Sequence, residues 1–138
     1  MQCQPASPAD VRRLALEMPY VTVGRGTSGN PIYRVGGKSF IFFRNPLPDA
    51  VDPGTGEPYT DVIVFWVGSE EEKQTLVGDP ASPFFTTSHF DGHTSVLLRS
   101  SRVSEVSRQK LTRIVQGAWL SRAQRRRAEA WSSEHVPG

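Results

Sequence analysis

A single cysteine, Cys3, stands in a chain of 138 residues. With no second thiol there is no internal disulfide, and the composition suits a reducing compartment better than a disulfide-stapled secreted scaffold. No apolar run reaches the roughly 18 residues a membrane-crossing helix needs, and no basic-then-apolar leader is present. The expectation is a soluble, cytoplasmic protein with no membrane partner. Catalytic signatures are missing too. There is no G-x-S-x-G elbow and no H-R-D or D-F-G, and Cys3 lies far in sequence from any candidate base. Glu70, Glu71 and Glu72 are adjacent and fan out around a helix axis, so they mark a helix start rather than an acid/base pair. The reading is a non-enzyme with no cofactor. Helix-turn-helix, zinc-finger and RNP signatures are also absent, which leaves sequence-specific readout of a nucleic acid without support.

What is present is turn and strand chemistry. In Pro31 to Phe43, Gly36-Gly37 supplies the two positive-φ positions of a tight hairpin turn, and Ile32, Tyr33, Val35 and the run Phe40 to Phe43 favour strands on either side. Further strands are expected at Val21–Val23, Val62–Val67, Phe84–Phe90 and Thr94–Leu98, the last two joined by Asp91-Gly92. Ser7-Pro8-Ala9-Asp10 opens a helix that Pro19 stops. Ser69-Glu70-Glu71-Glu72 opens a second, which ends near Asp79-Pro80. A long C-terminal helix begins near Ser104, with Leu111, Ile114, Val115 and Ala118 as its buried stripe. Near Arg122 that stripe becomes cationic, so the helix is expected to leave the body or turn its face there. Consecutive antiparallel strands with helices at the ends predict one α+β domain over residues 1–138, with five or six strands. Residues 1–6 and 132–138 are expected as flexible tails. Residues 45–61, rich in Pro, Gly and acids, are expected as a surface loop.

The hairpin, with Leu14-Ala15-Leu16-Glu17-Met18-Pro19 before it and Phe90-Asp91-Gly92-His93 after it, resembles the bacterial MmcQ/YjbR family. Its pattern runs Leu-Pro, a Gly-rich bend, Val-Gly-Gly-Lys-x-Phe, Leu/Val strands and a closing helix. The likeness extends from Asp10 to Trp131, and its motif core is Gly36, Gly37, Lys38 and Phe40. Two departures stand out. Phe65-Trp66-Val67 replaces a Lys found at the end of the central strand in many members, and Ala118-Trp119-Leu120 replaces a Ser-Tyr pair in the last helix. The resemblance implies a YjbR-like, CyaY-like (frataxin-like) sandwich. It also implies a DNA-binding role in which two Gly-turned hairpins act as wings, an implication by analogy.

Charge is divided along the chain. Residues 1–98 hold seven Lys/Arg against eleven Asp/Glu, a net of −4, and residues 99–138 hold nine against three, a net of +6. A basic end points to an anionic partner, although cations in a last helical turn also complement the helix dipole. The candidate nucleic-acid-binding set is Arg34 and Lys38 at the hairpin with Arg122, Arg125, Arg126 and Arg127 on the final helix. Guanidinium forks suit phosphate oxygens, and Tyr33, Trp119 or Trp131, if exposed, could stack on bases of DNA or RNA.

Three other constellations compete. Gly24-Arg25-Gly26-Thr27-Ser28-Gly29 matches G-x-G-x-x-G, yet Asn30-Pro31 and a strand follow where a phosphate-binding helix is required, so it reads as a hairpin loop in which Arg25 could meet a phosphate. His89 and His93 flank the Asp91-Gly92 turn and are the weak candidates for a metal; they read as surface imidazoles, and no metal site is expected. Trp119, Leu120 and Trp131 beside arginines would also suit a protein-docking or self-association surface, and a small-molecule-binding module is a further alternative.

Overall fold

The Ser7 hydroxyl accepts from the Asp10 amide at 3.3 Å, and the Asp10 carboxylate accepts from the Ser7 amide at 2.9 Å. This reciprocal cap starts helix α1, Pro8–Glu17, with Pro8 at a position where the missing N–H costs nothing. The structure, a computed structural model, describes residues 4–26, 29–44, 50–87 and 92–135. After α1 come strands β1 (Val21–Arg25), β2 (Pro31–Val35), β3 (Lys38–Phe43) and β4 (Val62–Trp66), helix α2 (Glu70–Val77), strand β5 (Ser95–Arg99), a 3-10 turn over Ser100–Glu105, and helices α3 (Arg108–Arg122) and α4 (Arg125–His135). The layout is α+β.

The five strands form one antiparallel sheet in the order β1-β2-β3-β4-β5. Gly36 and Gly37, at φ 58° and 82°, close β2 onto β3, as the Gly-Gly pair predicts. Register assigns each strand residue to a face, because directly opposed residues point the same way. One row, Val23, Tyr33, Ile41, Phe65 and Val96, runs across the sheet towards the helices. The row beside it, Gly24, Ile32, Phe42, Val64 and Leu97, looks the other way.

The first face carries the main core. Helix α3 lies across β3 and β4, and α1 packs on α3. Leu111, Ile114, Val115 and Ala118, the stripe anticipated from spacing, are buried there with Val11, Ala15, Phe40, Ile63 and Leu98. The second face has no helix packed on it among the described residues. Towards β5 it is closed by a smaller cluster in which Phe42, Tyr59 and Phe85 pack on Val62, Val64 and Leu97; towards β1 no such cluster covers it among the described residues.

Several boundaries differ from expectation. The C-terminal helix begins at Arg108, where the Ser107 hydroxyl caps the Lys110 amide, and residues 100–105 form the 3-10 turn instead. It ends at Arg122, and Ala123 is extended at ψ 149° before α4 starts. The change from apolar stripe to arginines therefore marks a break between two helices. Described residues 84–87 form no regular strand and add only the isolated bridge Phe85–Leu97; Ser88 to Asp91 lie outside the described residues. Gln4, Pro5 and Ala6, expected as tail, are pinned. Ala6 donates its amide to Val106 O, Gln4 O accepts from the Arg108 amide, and Pro5 bridges Ser107. Ser132 to His135 continue α4 rather than starting a tail.

Within the acidic excursion, residues 45–49 lie outside the described residues, while Val51 bridges Pro58 and Asp52 Oδ1 accepts from the Gly54 amide at 2.7 Å. At its end Asp61 accepts from Arg99 Nε at 2.9 Å and the Ser101 amide at 3.1 Å. Burial pushes the Asp61 carboxyl up, but Arg99 and Ser101 outweigh it and hold it below the usual value.

Candidate nucleic-acid interface

The open part of the second face is built on β1, β2 and β3. Gly24 sits on β1 opposite Ile32, and Thr22 opposite Arg34. A Cβ on Gly24 would collide with the Nη1 end of the Arg34 guanidinium, so the absence of a side chain on β1 is what lets this cation reach over the neighbouring strand. The first glycine of the G-x-G-x-x-G stretch thus has a local role unrelated to a dinucleotide. The remainder of the stretch closes the β1–β2 turn: Gly26 donates to Asn30 O, and Arg25 donates to Gly29 O at 2.9 Å. Arg25 therefore braces its own loop. Thr27 and Ser28 lie outside the described residues.

Arg122, the last residue of α3, reaches this surface from the helical side. Its Nε donates to Ser39 O at 3.2 Å, and its guanidinium carbon lies 4.0 Å from the centre of the Trp66 ring. That separation is within cation–π range. Trp66 also meets the His93 ring edge-on at 6.3 Å, while its Nε1 has no hydrogen-bond partner among the described residues. Buried Lys73 donates to His93 O at 2.7 Å and fixes the backbone entering β5.

Arg34, Lys38 and Arg122 thereby line one groove of about 400 Å³ with Ile32, Gly37, Ser39 and Phe42. Among the described residues no carboxylate lines it, and none of the three cations forms an ion pair. Three of the six basic residues singled out in the sequence meet here.

The other three lie elsewhere. Arg125 pairs with Glu129 at 2.9 Å, one turn along the exposed face of α4. Arg126 and Arg127 line a second groove of about 330 Å³ with Pro19, Tyr20, Trp131 and Glu134, and Arg127 lies 4.2 Å from the Tyr20 ring centre. The extended Ala123 interrupts the helix between Arg122 and this set, and the two line different grooves. The arginine run contiguous in sequence is split in space.

The aromatic residues named in the sequence are mostly committed to packing. Trp119 is fully buried, its Nε1 donates to Pro19 O at 2.9 Å, and Trp131 packs on it with ring centres 6.1 Å apart. Tyr33 is buried on the helical face, and burial raises its phenol above the usual range. Trp119 and Tyr33 are therefore unavailable for base stacking, while Leu120 and Trp131 are partly buried against the same core and Trp131 lines the second groove. The aromatic groups beside the cations are Phe42 and Trp66, which sequence reasoning passed over. Strand alternation carried the signal, since Phe42 and Trp66 both fall out of phase with the core residues Ile41 and Phe65.

His93 is held against Trp66, while His89 lies outside the described residues. Among the described residues no group of three His, Cys, Asp or Glu side chains is placed to hold a metal ion. No helix there is long and apolar enough to cross a membrane.

Comparison with curated proteins finds the uncharacterized proteins Mb2600 of Mycobacterium bovis and MT2646 and Rv2570 of Mycobacterium tuberculosis, each 32% identical over 78 residues. The matched stretch covers 56% of this chain and 58% of each relative, so the chain spans less than two thirds of the relatives' length. No family model matches the chain, and no solved structure does. The MmcQ/YjbR resemblance gains no support from them.

Proposed function

We propose that this chain is a non-enzymatic, cytoplasmic nucleic-acid-binding module that holds phosphates on the open face of its sheet. The observation that carries the reading is the meeting of Arg34, Lys38 and Arg122 in one groove that no carboxylate lines among the described residues. Unpaired cations on a shared surface attract a polyanion, and Arg34 and Arg122 add forked donors suited to phosphate oxygens. The hairpin motif that resembles the MmcQ/YjbR family places Lys38 at this groove, in keeping with the DNA-binding role that resemblance implies. Arg126 and Arg127, in their separate groove, are secondary contacts in this reading.

The test is an anisotropy titration of labelled oligonucleotides against salt. Three phosphate contacts give a log–log slope of about −2.1 to −2.7, a loss of roughly 20- to 40-fold between 50 and 200 mM salt. Absence of binding to every nucleic acid at 50 mM salt would remove the proposal.

A further inference from the structure

We infer that the groove takes a single strand of nucleic acid in preference to a duplex, an inference that rests on the reading just given. The cations alone do not distinguish the two, because both present phosphates. The surface between them does. Ile32 and Phe42 lie among Arg34, Lys38 and Arg122, and beneath the Arg122 guanidinium lies the Trp66 indole. A duplex keeps its bases paired and stacked inside, and leaves such apolar surface facing phosphate and water. An unstacked base covers it.

Stacking on aromatic rings and on arginine planes is the general means by which single strands are held without sequence preference. Arg122 on Trp66 already forms two layers of such a stack, and Phe42 supplies a second platform on the adjacent strand. The surface is also shaped for a strand lying along it. Gly24 contributes no side chain, the end of the Arg34 guanidinium reaches over it, and no helix among the described residues stands on this face to enter a major groove.

The test compares 12-nucleotide single-stranded DNA, single-stranded RNA and the matching DNA duplex by anisotropy at about 50 mM salt. At least one single strand is expected to bind 10-fold or more tightly than the duplex. Phe42→Ala is expected to weaken single-strand binding by about 5- to 100-fold and to leave the duplex unchanged. Phe42→Leu, which keeps the packing on the β4–β5 cluster, should show the same selective loss. Duplex binding equal to or tighter than both single strands overturns the inference and leaves the nucleic-acid reading standing, as does an equal loss on both in either variant. No binding to any of the three overturns both.

Discussion

The guanidinium of Arg34 occupies the space beside Gly24 that any larger residue would fill. The two residues lie diagonally across the β1–β2 pair, Arg34 opposite Thr22 and Gly24 opposite Ile32, and the bare glycine leaves room for the end of the arginine. Gly24→Ala is expected to lift Arg34 off the sheet while leaving the fold intact, because Gly24 does not have a positive φ. Oligonucleotide affinity should fall about as far as in Arg34→Ala, and the double variant should be little worse than either single one. Full additivity in that cycle, measured by anisotropy, would separate the two residues.

Phosphate contacts are countable through salt. Arg34→Ala, Lys38→Ala and Arg122→Ala should each reduce the salt slope by about one, whereas Arg125→Ala, already paired with Glu129, should leave it unchanged. An unchanged slope in all three groove variants would place the contacts elsewhere, with Arg126 and Arg127 the next to examine.

Trp119 joins the end of α1 to α3 through its hydrogen bond to Pro19 O. Trp119→Ala should cost about 3–5 kcal/mol in urea unfolding, as large core truncations do. Trp119→Phe keeps most of the ring but leaves the Pro19 carbonyl without its donor, at about 1–3 kcal/mol. Trp131→Ala, at a partly buried position on α4, should cost less than Trp119→Ala.

Asp10 predicts an acid limb in stability. Burial pushes its carboxyl up, but the Ser7 amide, Arg13 and Arg108 prevail and hold it below its ordinary 3.8. A carboxylate depressed in the folded state stabilises fully above its unfolded value and loses that contribution as pH falls through the folded one. Thermal midpoints should therefore drop as pH falls from about 5 towards 3, and Asp10→Asn should flatten this drop. An identical pH profile in the variant would mean that other carboxylates set the limb.

How far the sequence reveals the molecule depends on the kind of signal. Caps and turns are local, so Ser7-Pro8, Ser69 and Gly36-Gly37 announce α1, α2 and the β2–β3 hairpin in place. The α+β layout follows from their order. The break at Ala123 was visible only as a change in stripe character, because neither Gly nor Pro marks it. Phe84 to Thr87 have strand composition, but the described residues make a single bridge to β5. Of the candidate site, charge alone singles out Arg34, Lys38 and Arg122, and these three line one groove. Adjacent arginines at 125 to 127 suggested one patch, whereas helix geometry and the Ala123 turn disperse them. Gly24, Phe42 and Trp66 were missed because their roles arise from cross-strand register, which no single strand displays.

The most direct measurement is an NMR titration of the 15N-labelled protein with a short single-stranded oligonucleotide at low salt. The account predicts that the largest amide shifts fall on Gly24, Ile32 to Ser39 and Phe42, with the Arg122 and Trp66 side-chain N–H signals moving alongside them. Shifts confined to Tyr20 and α4, or no shifts at all, would contradict it.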